Sequence, residues 1–530
     1  MSMIGTFGIH IRKSALAFFA VASLAVAGKA EAAVEIQEVV SPGGVKAWLV
    51  EDYTVPLVSM KFAFKGGSSQ DPEGKSGLAK LMTGLFDEGA GDLDRAAFQD
   101  ALDVSGAEMG FSAGIDEITG SMTWLAERED EAVHLLTLAV NDPRFDAEPV
   151  QRMKSQFLTS LIADERDPNT LAGRKWRKAI YGDHPYARDS DGTKETMGGL
   201  TAEDLRSFHD SQFAQDNLFV AVVGAISAED LGKRLDTIFG DLPEKAKLRE
   251  VLEVQAKLGE RVHYEYPLPQ TSLSLLYPGI EREDPRFFAA YLANHILGGG
   301  TFSSRLYEEV REKRGLAYGV GSNLSNYDHA SNWGIGTATR SDRAAETLDL
   351  IRDEVSKIVE GGVSEDELEA AKNYVTGAYA IANFDSSSAI ASTVLGLQLA
   401  GLPRDYIETR EATIDAVTLD EVNEEAKRLL SAEPSVLIVG PAFEQTSAGP
   451  AGDGALNGDD GGQPLPSDLQ PSADNDNAAV GDAKSGPTER APEAETGPVD
   501  DQEAKPASID NNDDRQDASE APPEMEAGGN

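Results

Sequence analysis

The chain has 530 residues and a formal net charge of −44 at pH 7, which indicate more than one ordinary domain and an acidic surface. This charge argues against a nucleic-acid-binding protein, because phosphate binding needs a basic footprint. The absence of cysteine excludes disulfides, thiolate metal sites and a cysteine nucleophile.

The first segment, residues 1–32, has the pattern of a secretory signal peptide. Arg12 and Lys13 precede a short apolar run, and small residues up to Ala32 offer a cleavage site. We therefore expect export to the periplasm and no membrane association after cleavage. An uncleaved anchor is the alternative, although the apolar run is short for a transmembrane helix.

The stretch "GKSGLAKLMTGLFDEGAG" predicts one short amphipathic helix. Ser76 is its expected N-cap and Gly89 its expected end. On one face lie Lys80, Thr83 and Gly84. The opposite face carries an apolar stripe directed at the core: Leu78, Leu81, Met82, Leu85 and Phe86.

Further along, two parts of the chain resemble each other at a steady spacing. Lys154 and Lys372 lie 218 residues apart in helices with acidic first turns. Thr201 and Thr418 lie 217 residues apart, and each is expected to cap a helix that leads into an apolar strand. A register kept across several landmarks indicates a duplicated unit.

The duplication predicts two related halves, residues 33–245 and 258–443, joined by a charged linker at 246–257. Each half mixes alternating strand patterns with longer helices. This predicts an α+β fold in which helices pack on mainly antiparallel sheets.

The last segment, residues 444–530, has the composition of a disordered acidic tail. From Ala451 onwards it contains 20 acidic residues against four basic ones, and no aromatic residue. Such a segment cannot bury enough apolar surface to offset the entropy of ordering.

Four stretches of this chain resemble the M16 peptidases, the family of pitrilysin, insulinase and mitochondrial processing peptidase. They are "FKGGSSQDPEGKSGLAKLMTGLFDEGA", "HPYARDSDGTKETMGGLTAEDLRSFHDSQF", "YPGIEREDPRFFAAYLANHILGGGTFSSRLYEEVREKRGLAYGVGS" and "VSEDELEAAKNYVTGAYA". They occur in the family's order across most of residues 35–442. The resemblance implies a clamshell of two homologous halves.

The resemblance also implies where zinc should bind. In the family's H-x-x-E-H helix two histidines bind zinc and the glutamate activates a water. Here Lys80, Thr83 and Gly84 stand at those positions. The third ligand would fall near Ser160, but residues 155–163 contain no acid. None of the seven histidines lies within five residues of another, so we expect no metal on this chain.

The second half carries a glycine-rich turn, Gly298, Gly299 and Gly300, followed by Arg311 and Tyr318. A phosphate loop is a weak interpretation, because the P-loop pattern is absent. The purely structural interpretation is a flexible turn before a helix. In M16 peptidases this half supplies an arginine and a tyrosine with this spacing that reach the substrate beside the zinc. The resemblance therefore implies that Arg311 and Tyr318 form a substrate clamp.

The alternative to the clamp is structural. Arg311 would form a helix-surface ion pair, for example with Glu308, and Tyr318 would pack in a strand. Arg305 is expected to be structural in either case, supporting the turn after the glycines.

Two functions from different classes remain open. In the first, the chain is the non-catalytic, substrate-binding subunit of a heterodimeric M16 peptidase that acts on peptides or unfolded polypeptides. The partner supplies H-x-x-E-H and the zinc. In the second, the chain is an inert M16-fold scaffold or binding protein without a protease partner. An active peptidase with other ligands is nearly excluded by the loss of the whole zinc site.

Overall fold

The computed structural model of the chain describes residues 34–443 and 456–457. It contains two six-stranded sheets with helices packed on them, which confirms the predicted α+β class. Within this described part, no helix is long and apolar enough to cross a membrane. The predicted signal peptide and most of the predicted tail lie outside the described residues.

The first half contributes eight strands and eight helices to the described structure. The strands are β1 (Gln37–Val40), β2 (Lys46–Glu51), β3 (Leu57–Lys65), β4 (Gly89–Ala90), β5 (Leu93–Asp94), β6 (Glu108–Ala113), β7 (Glu117–Leu125) and β8 (Leu218–Gly224). The helices are α1 (Leu78–Thr83), α2 (Arg95–Ser105), α3 (Glu129–Asn141), α4 (Ala147–Asp164), α5 (Pro168–Tyr181), α6 (Lys194–Gly199), α7 (Ala202–Gln212) and α8 (Ala228–Phe239).

The second half contributes five strands and six helices, and one further strand follows it. The strands are β9 (Arg261–Glu265), β10 (Gln270–Pro278), β11 (Ala317–Tyr327), β12 (Ala330–Arg340), β13 (Ser435–Gly440) and β14 (Leu456–Asn457). The helices are α9 (Phe287–Asn294), α10 (Ala344–Gly361), α11 (Glu365–Asn383), α12 (Ser387–Leu399), α13 (Tyr406–Ala416) and α14 (Leu419–Leu430). Two π-helical turns lie at His295–Gly299 and Tyr307–Glu312.

Both sheets arrange their five main strands in the same way. The strand order is β2-β8-β3-β7-β6 in the first sheet and β9-β13-β10-β12-β11 in the second. If these five main strands are numbered in chain order within each half, their order across the sheet is 1-5-2-4-3 in both halves. In each set the first and fifth strands pair in parallel and the other neighbours are antiparallel. The shared topology confirms the two related halves and the mainly antiparallel sheets.

The edges of the sheets differ from this common pattern. Strand β1 extends the first sheet by pairing with β2. Strand β14 extends the second sheet by pairing in parallel with β9. Leu456 and Asn457 fall inside the predicted acidic tail.

The lysines that mark the repeat make equivalent contacts in both halves. Lys154 of α4 is buried, and its Nζ donates to Gly198 O at 2.9 Å and to Leu200 O at 2.6 Å. Lys372 of α11 donates to Asp415 O at 3.0 Å. These carbonyls lie at the ends of α6 and α13, where a cation complements the partial negative charge of a helix C-terminus.

The two predicted threonine caps are present. Thr201 Oγ1 accepts from Asp204 N at 3.2 Å, and Asp204 Oδ2 accepts from Thr201 N at 3.0 Å. Thr418 and Glu421 form the same capping box at 3.3 Å and 2.8 Å. Each half therefore starts the helix before its last strand with the same local device.

Two equivalent helices, α5 and α12, cross between the halves. Helix α5 of the first half packs on the second sheet, and α12 of the second half packs on the first sheet. Their N-caps, Asp167 and Ser386, lie 219 residues apart, so the helices correspond in the repeat. We call α5 and α12 the exchanged helices.

The exchanged helices bury the sheet faces that the helices of the same half leave uncovered. In β3, Phe62 faces α8, where its ring centroid lies 5.3 Å from that of Phe239. The next residue, Ala63, points to the opposite face because side chains alternate along a strand, and it lies in the cluster that includes Val394 and Leu395 of α12. Ala172 of α5 lies in the matching cluster on the second sheet. Both sheets are therefore covered on both faces.

A polar joint links the same two halves. Asp116 Oδ2 accepts from Tyr186 Oη at 2.7 Å and from Asp328 N at 3.0 Å. His329 N donates to Tyr186 Oη at 2.9 Å. Lys65 Nζ donates to Asp328 Oδ1 at 2.6 Å. These five residues form what we call the inter-half joint.

The predicted linker, residues 246–257, contains no helix or strand, and it is held along both halves. Gln70 accepts from Arg249 N at 2.7 Å and donates to Arg249 O at 3.0 Å. Further on, Val254 N donates to His329 O at 2.9 Å. Backbone hydrogen bonds of this kind fix the course of a segment that lacks regular structure.

We predict that Leu395→Ala lowers the free energy of unfolding by about 2–5 kcal/mol, the usual cost of truncating a buried leucine. Leu395 is 1% exposed on α12. Because α12 covers the first sheet, the whole chain should still unfold in one transition, at lower urea concentration. Leu252→Ala, at a position 66% exposed, is the control and should change little. Two separate transitions, of which only one shifts, would contradict coupling through the exchanged helices.

Candidate functional site

Helix α1, which carries the degenerate zinc positions, does not begin where the sequence indicated. Its N-cap is Gly77, which has φ 89°. The buried Asp71 carboxylate accepts from Gly77 N at 2.7 Å and from Ala79 N at 2.9 Å. The predicted cap Ser76 is therefore wrong, because a carboxylate five residues earlier serves these N–H groups. Burial raises the pKa of Asp71 to about 7, although the N–H groups favour its charged form.

The predicted helix end at Gly89 is also wrong, since α1 ends at Thr83. Leu85 N bonds to Met82 O at 3.0 Å, and the chain then continues in turns. The apolar stripe is nevertheless confirmed, and all five of its residues are buried: Leu78, Leu81, Met82, Leu85 and Phe86. Core contacts hold the last two residues without helical geometry.

The three zinc-motif positions have taken on other contacts. Lys80 Nζ lies 3.5 Å from Asp191 Oδ1 in an exposed ion pair. Thr83 is buried, and its Oγ1 donates to Lys80 O at 3.1 Å. Gly84 faces α4, and a Cβ at this position would lie 3.3 Å from Met153 Sδ.

The segment of the expected third ligand does not complete a metal site. Ser160 is an exposed residue of α4. The same helix turns Phe157 towards Gly84, 3.4 Å from where a Cβ would lie. An amine, a hydroxyl and apolar side chains do not match the histidine and carboxylate ligands of catalytic zinc. In residues 34–443 and 456–457, no three histidine, aspartate or glutamate side chains are grouped to hold a metal.

The structure brings Arg311 and Tyr318 together. Arg311 lies in the π-helical turn, and its guanidinium carbon is 5.0 Å from the ring centroid of Tyr318. Gly315, with φ 59°, reverses the chain between them, and its N–H donates to Arg311 O at 2.9 Å. The Tyr318 side chain is 85% exposed, so its phenol faces solvent.

A third residue, which the sequence did not single out, supports this pair. Tyr307 is buried one turn before Arg311, and its ring centroid lies 4.7 Å from the guanidinium carbon. Arg311 is thus in contact with two aromatic rings, an arrangement favourable for a cation. The sequence could have indicated this contact, because Tyr307 and Arg311 are four residues apart and such residues are neighbours on a helix.

The alternative ion pair of Arg311 with Glu308 is not formed. Glu308 pairs with Lys313 at 2.9 Å. Arg311 Nε lies 3.8 Å from Glu312 Oε1, a long contact between partly exposed groups. Tyr318 does not pack within the sheet either. The geometry therefore leaves both side chains accessible to a ligand.

The glycine-rich turn is closely packed, whereas the purely structural interpretation predicts a flexible turn. A Cβ on Gly298 would lie 2.7 Å from Ser322 N, and one on Gly299 would lie 2.7 Å from Asn294 Nδ2. A Cβ on Gly300 would lie 2.8 Å from His295 O. Gly298 thus allows β11 to approach the π-helical turn, whereas Gly299 lies against Asn294 and Gly300 against His295.

Arg305 has the structural contacts that were expected of it. Its Nε and Nη2 bind the two oxygens of Glu367 at 2.6 Å and 2.8 Å, and Nη2 also donates to Gly362 O at 3.1 Å. Hydrogen bonds from Arg305 lower the pKa of Glu367 to about 2. This pair ties the segment after the glycine turn to the start of α11.

Comparison with known proteins gives a consistent assignment. The family profile described as "Peptidase M16 inactive domain" matches residues 199–375. The chain is 27% identical over 381 residues to "Non-peptidase homolog YmxG" of Helicobacter pylori, covering 71% of this chain and 86% of that protein. It is 25% identical over 428 residues to "Uncharacterized zinc protease SCO5738" of Streptomyces coelicolor, covering 77% and 90% respectively.

A solved structure agrees with these relatives. The crystal structure of a peptidase M16 inactive domain from Pseudomonas fluorescens superposes with a TM-score of 0.72 and 30% sequence identity. The match covers 78% of this chain and 99% of that one.

We predict that Gly84→His destabilises the protein and does not restore a zinc site. The imidazole would have to displace Met153 and Phe157, and overpacking of this kind typically costs about 1–3 kcal/mol. Lys80→His, at a half-exposed position, is the matched control and should leave stability nearly unchanged. Urea unfolding and metal analysis of both variants test this. Stoichiometric zinc bound by a triple variant that combines Lys80→His, Thr83→Glu and Gly84→His would contradict the packing argument.

We also predict an acid-dependent contribution from the Arg305–Glu367 pair. The lowered pKa of Glu367 means that the pair stabilises the fold above about pH 4.5, and that this is lost as pH falls towards 2. Arg305→Met should therefore cost stability at pH 6 and progressively less towards pH 2. Arg340→Met, which breaks an exposed pair with Asp342, should cost little throughout. A constant cost of Arg305→Met at every pH would contradict the assignment.

Proposed function

Since the chain belongs to the M16 peptidase family as a non-catalytic member, we propose that it is the substrate-binding subunit of a heterodimeric M16 zinc peptidase. The catalytic partner supplies the H-x-x-E-H helix and the zinc. This chain supplies Arg311 and Tyr318 in trans. The complex acts on peptides or unfolded polypeptides in the exported, periplasmic compartment, as the signal pattern of residues 1–32 suggests.

One contrast carries the proposal. The zinc-motif positions Lys80, Thr83 and Gly84 are engaged in contacts that serve the fold of this chain. Arg311 and Tyr318, by comparison, are held in contact with each other while Tyr318 faces solvent. An exposed tyrosine stacked on an arginine contributes little to a core. Its arrangement is better explained by a ligand that it meets.

The chemistry of the pair suits a peptide bond under attack. A guanidinium presents several N–H donors in a fixed plane and can bind a carbonyl or carboxylate oxygen. A phenol can donate to the carbonyl oxygen as negative charge develops on it. Contact with the Tyr307 and Tyr318 rings restricts the guanidinium before the substrate arrives, which lowers the entropy lost on binding.

The test is to purify the complex from the native cell, identify the partner, and measure kcat and KM with each substitution. Tyr318→Phe keeps the ring and removes only the donor, so assembly should persist while kcat falls. Loss of one oxyanion donor typically costs about 100- to 1,000-fold in kcat. Arg311→Ala should also raise KM, because the charged fork contributes to substrate binding as well.

Matched controls lie on the same elements. Tyr327→Phe is on the same strand as Tyr318, and Arg314→Ala follows the same turn as Arg311, where Arg314 pairs with Glu309. Both controls should retain activity. Wild-type kinetics for Tyr318→Phe and Arg311→Ala would overturn the clamp. A chain that assembles with no M16 peptidase would favour the scaffold function.

A further inference from the structure

A second candidate site lies away from both the zinc-motif positions and the Arg311–Tyr318 pair. It is a cavity of about 230 Å³ between the segment preceding α1, helix α7 and the linker. Lys75 lines it from the first of these elements, and Lys247 and Arg249 line it from the linker. Asp204 and Ser207 line it from α7. We call it the linker cavity.

The lining is positive, although the chain as a whole carries −44. Asp204 is the only carboxylate among the described lining residues. It is engaged already, because it pairs with Lys75 and accepts from Thr201 N at 3.0 Å and Thr201 Oγ1 at 2.8 Å. Its charge is thus offset by Lys75. Lys247 and Arg249 then leave the cavity with two positive charges.

These two cations have no acidic partner in the described part of the chain. No carboxylate oxygen there lies within 4.0 Å of Lys247 Nζ or of the Arg249 guanidinium. A further cation, Arg188, lies close enough to act on Arg249, and its own Nη1 donates to Asp71 O at 2.7 Å. Partial desolvation, and then this like charge, lower the pKa of the largely exposed Arg249. The Asp71 carboxylate acts in the opposite direction but offsets only part of this positive charge, so a further anion beside Lys247 and Arg249 would be favourable.

The backbone that carries the two cations is fixed. Arg249 is held by both hydrogen bonds of the Gln70 amide, at 2.7 Å and 3.0 Å. Lys247 N donates to Ser211 O of α7 at 2.8 Å. Gln70 and Ser211 themselves line the cavity. Both side chains therefore extend from an anchored backbone, so that ligand binding would not have to order the linker itself.

We propose that the linker cavity binds a small phosphate-class anion, with Arg249 and Lys247 as its principal ligands. An arginine fork matches two oxygens of a phosphate, and a lysine contributes a point charge. The exposed Ser207 hydroxyl lies in the same lining and can donate a further hydrogen bond. The volume suits a free ion or a small phosphate ester, since it is below that of pockets for drug-sized ligands.

The experiment is calorimetric titration of the full chain with inorganic phosphate, at constant ionic strength set with sodium chloride. We expect one saturable site per chain. Arg249→Gln and Lys247→Gln should each weaken binding about tenfold or more, since a charge-assisted hydrogen bond contributes more than one factor of ten. Lys245→Gln, a nearby exposed lysine outside the cavity lining, is the matched control and should bind as the wild type does.

A second titration with phosphoserine distinguishes a free ion from an ester. Tighter binding of phosphoserine would identify the ester group as the natural ligand, and tighter binding of phosphate would identify the free ion. All three substituted side chains are exposed, so circular dichroism should show an unchanged fold. No saturable binding of either probe would overturn the proposal, as would equal weakening by Lys245→Gln and Arg249→Gln. The outcome does not depend on a peptidase partner.

Discussion

Helices α5 and α12 hold the two halves together, because each of them packs on the sheet of the other half. Each sheet has an apolar face that the helices of its own half leave uncovered, and α5 or α12 of the other half covers it. Separating the halves would expose both faces to water at once, and burial of apolar surface is the main force that holds a fold together. A duplicated chain thus becomes one cooperative body. Arg311 and Tyr318 are therefore presented from a fixed frame.

The inter-half joint adds specificity to this apolar contact. Tyr186 both donates to Asp116 and accepts from His329 N, so its hydroxyl serves the two halves together. The joint is not fully satisfied, since Asp116 Oδ1 has no partner within the described residues. Burial and the nearby Asp116 raise the pKa of Glu117 to about 7. Ionisation of Glu117 as pH rises through this value therefore opposes the joint, whereas the protonated form is accommodated.

The sequence predicted the features that depend on local or repeated signals. The two threonine caps need only a few neighbouring residues, and the landmark lysines kept their spacing because both bind the end of another helix in the same half. The start of α1 could not be read in this way, since Asp71 reaches it from outside the local pattern. Nor does any sequence rule state that α5 and α12 should cover the opposite sheets.

In the candidate site, too, residue spacing predicted part of the arrangement, and only the fold shows the rest. Arg311 and Tyr318 were found from their spacing, but their contact and the exposure of Tyr318 depend on Gly315 and on the buried Tyr307. The glycines of the preceding turn were expected to supply flexibility. Gly298 is instead constrained by the close approach of β11, which no pattern in that stretch displays.

The contacts at the zinc-motif positions show why this chain does not keep a zinc site of its own. The Lys80–Asp191 contact is an exposed ion pair and contributes little to stability. Gly84 is different, because Met153 Sδ and Phe157 Cζ lie 3.3 Å and 3.4 Å from where a Cβ at this position would be, so a ligand side chain would have to move them. Close-packed interiors do not yield such space without cost. The side chains in this region of the first half therefore serve packing. Any part that the chain plays in proteolysis must come from groups that remain accessible, and Arg311 and Tyr318 are such groups.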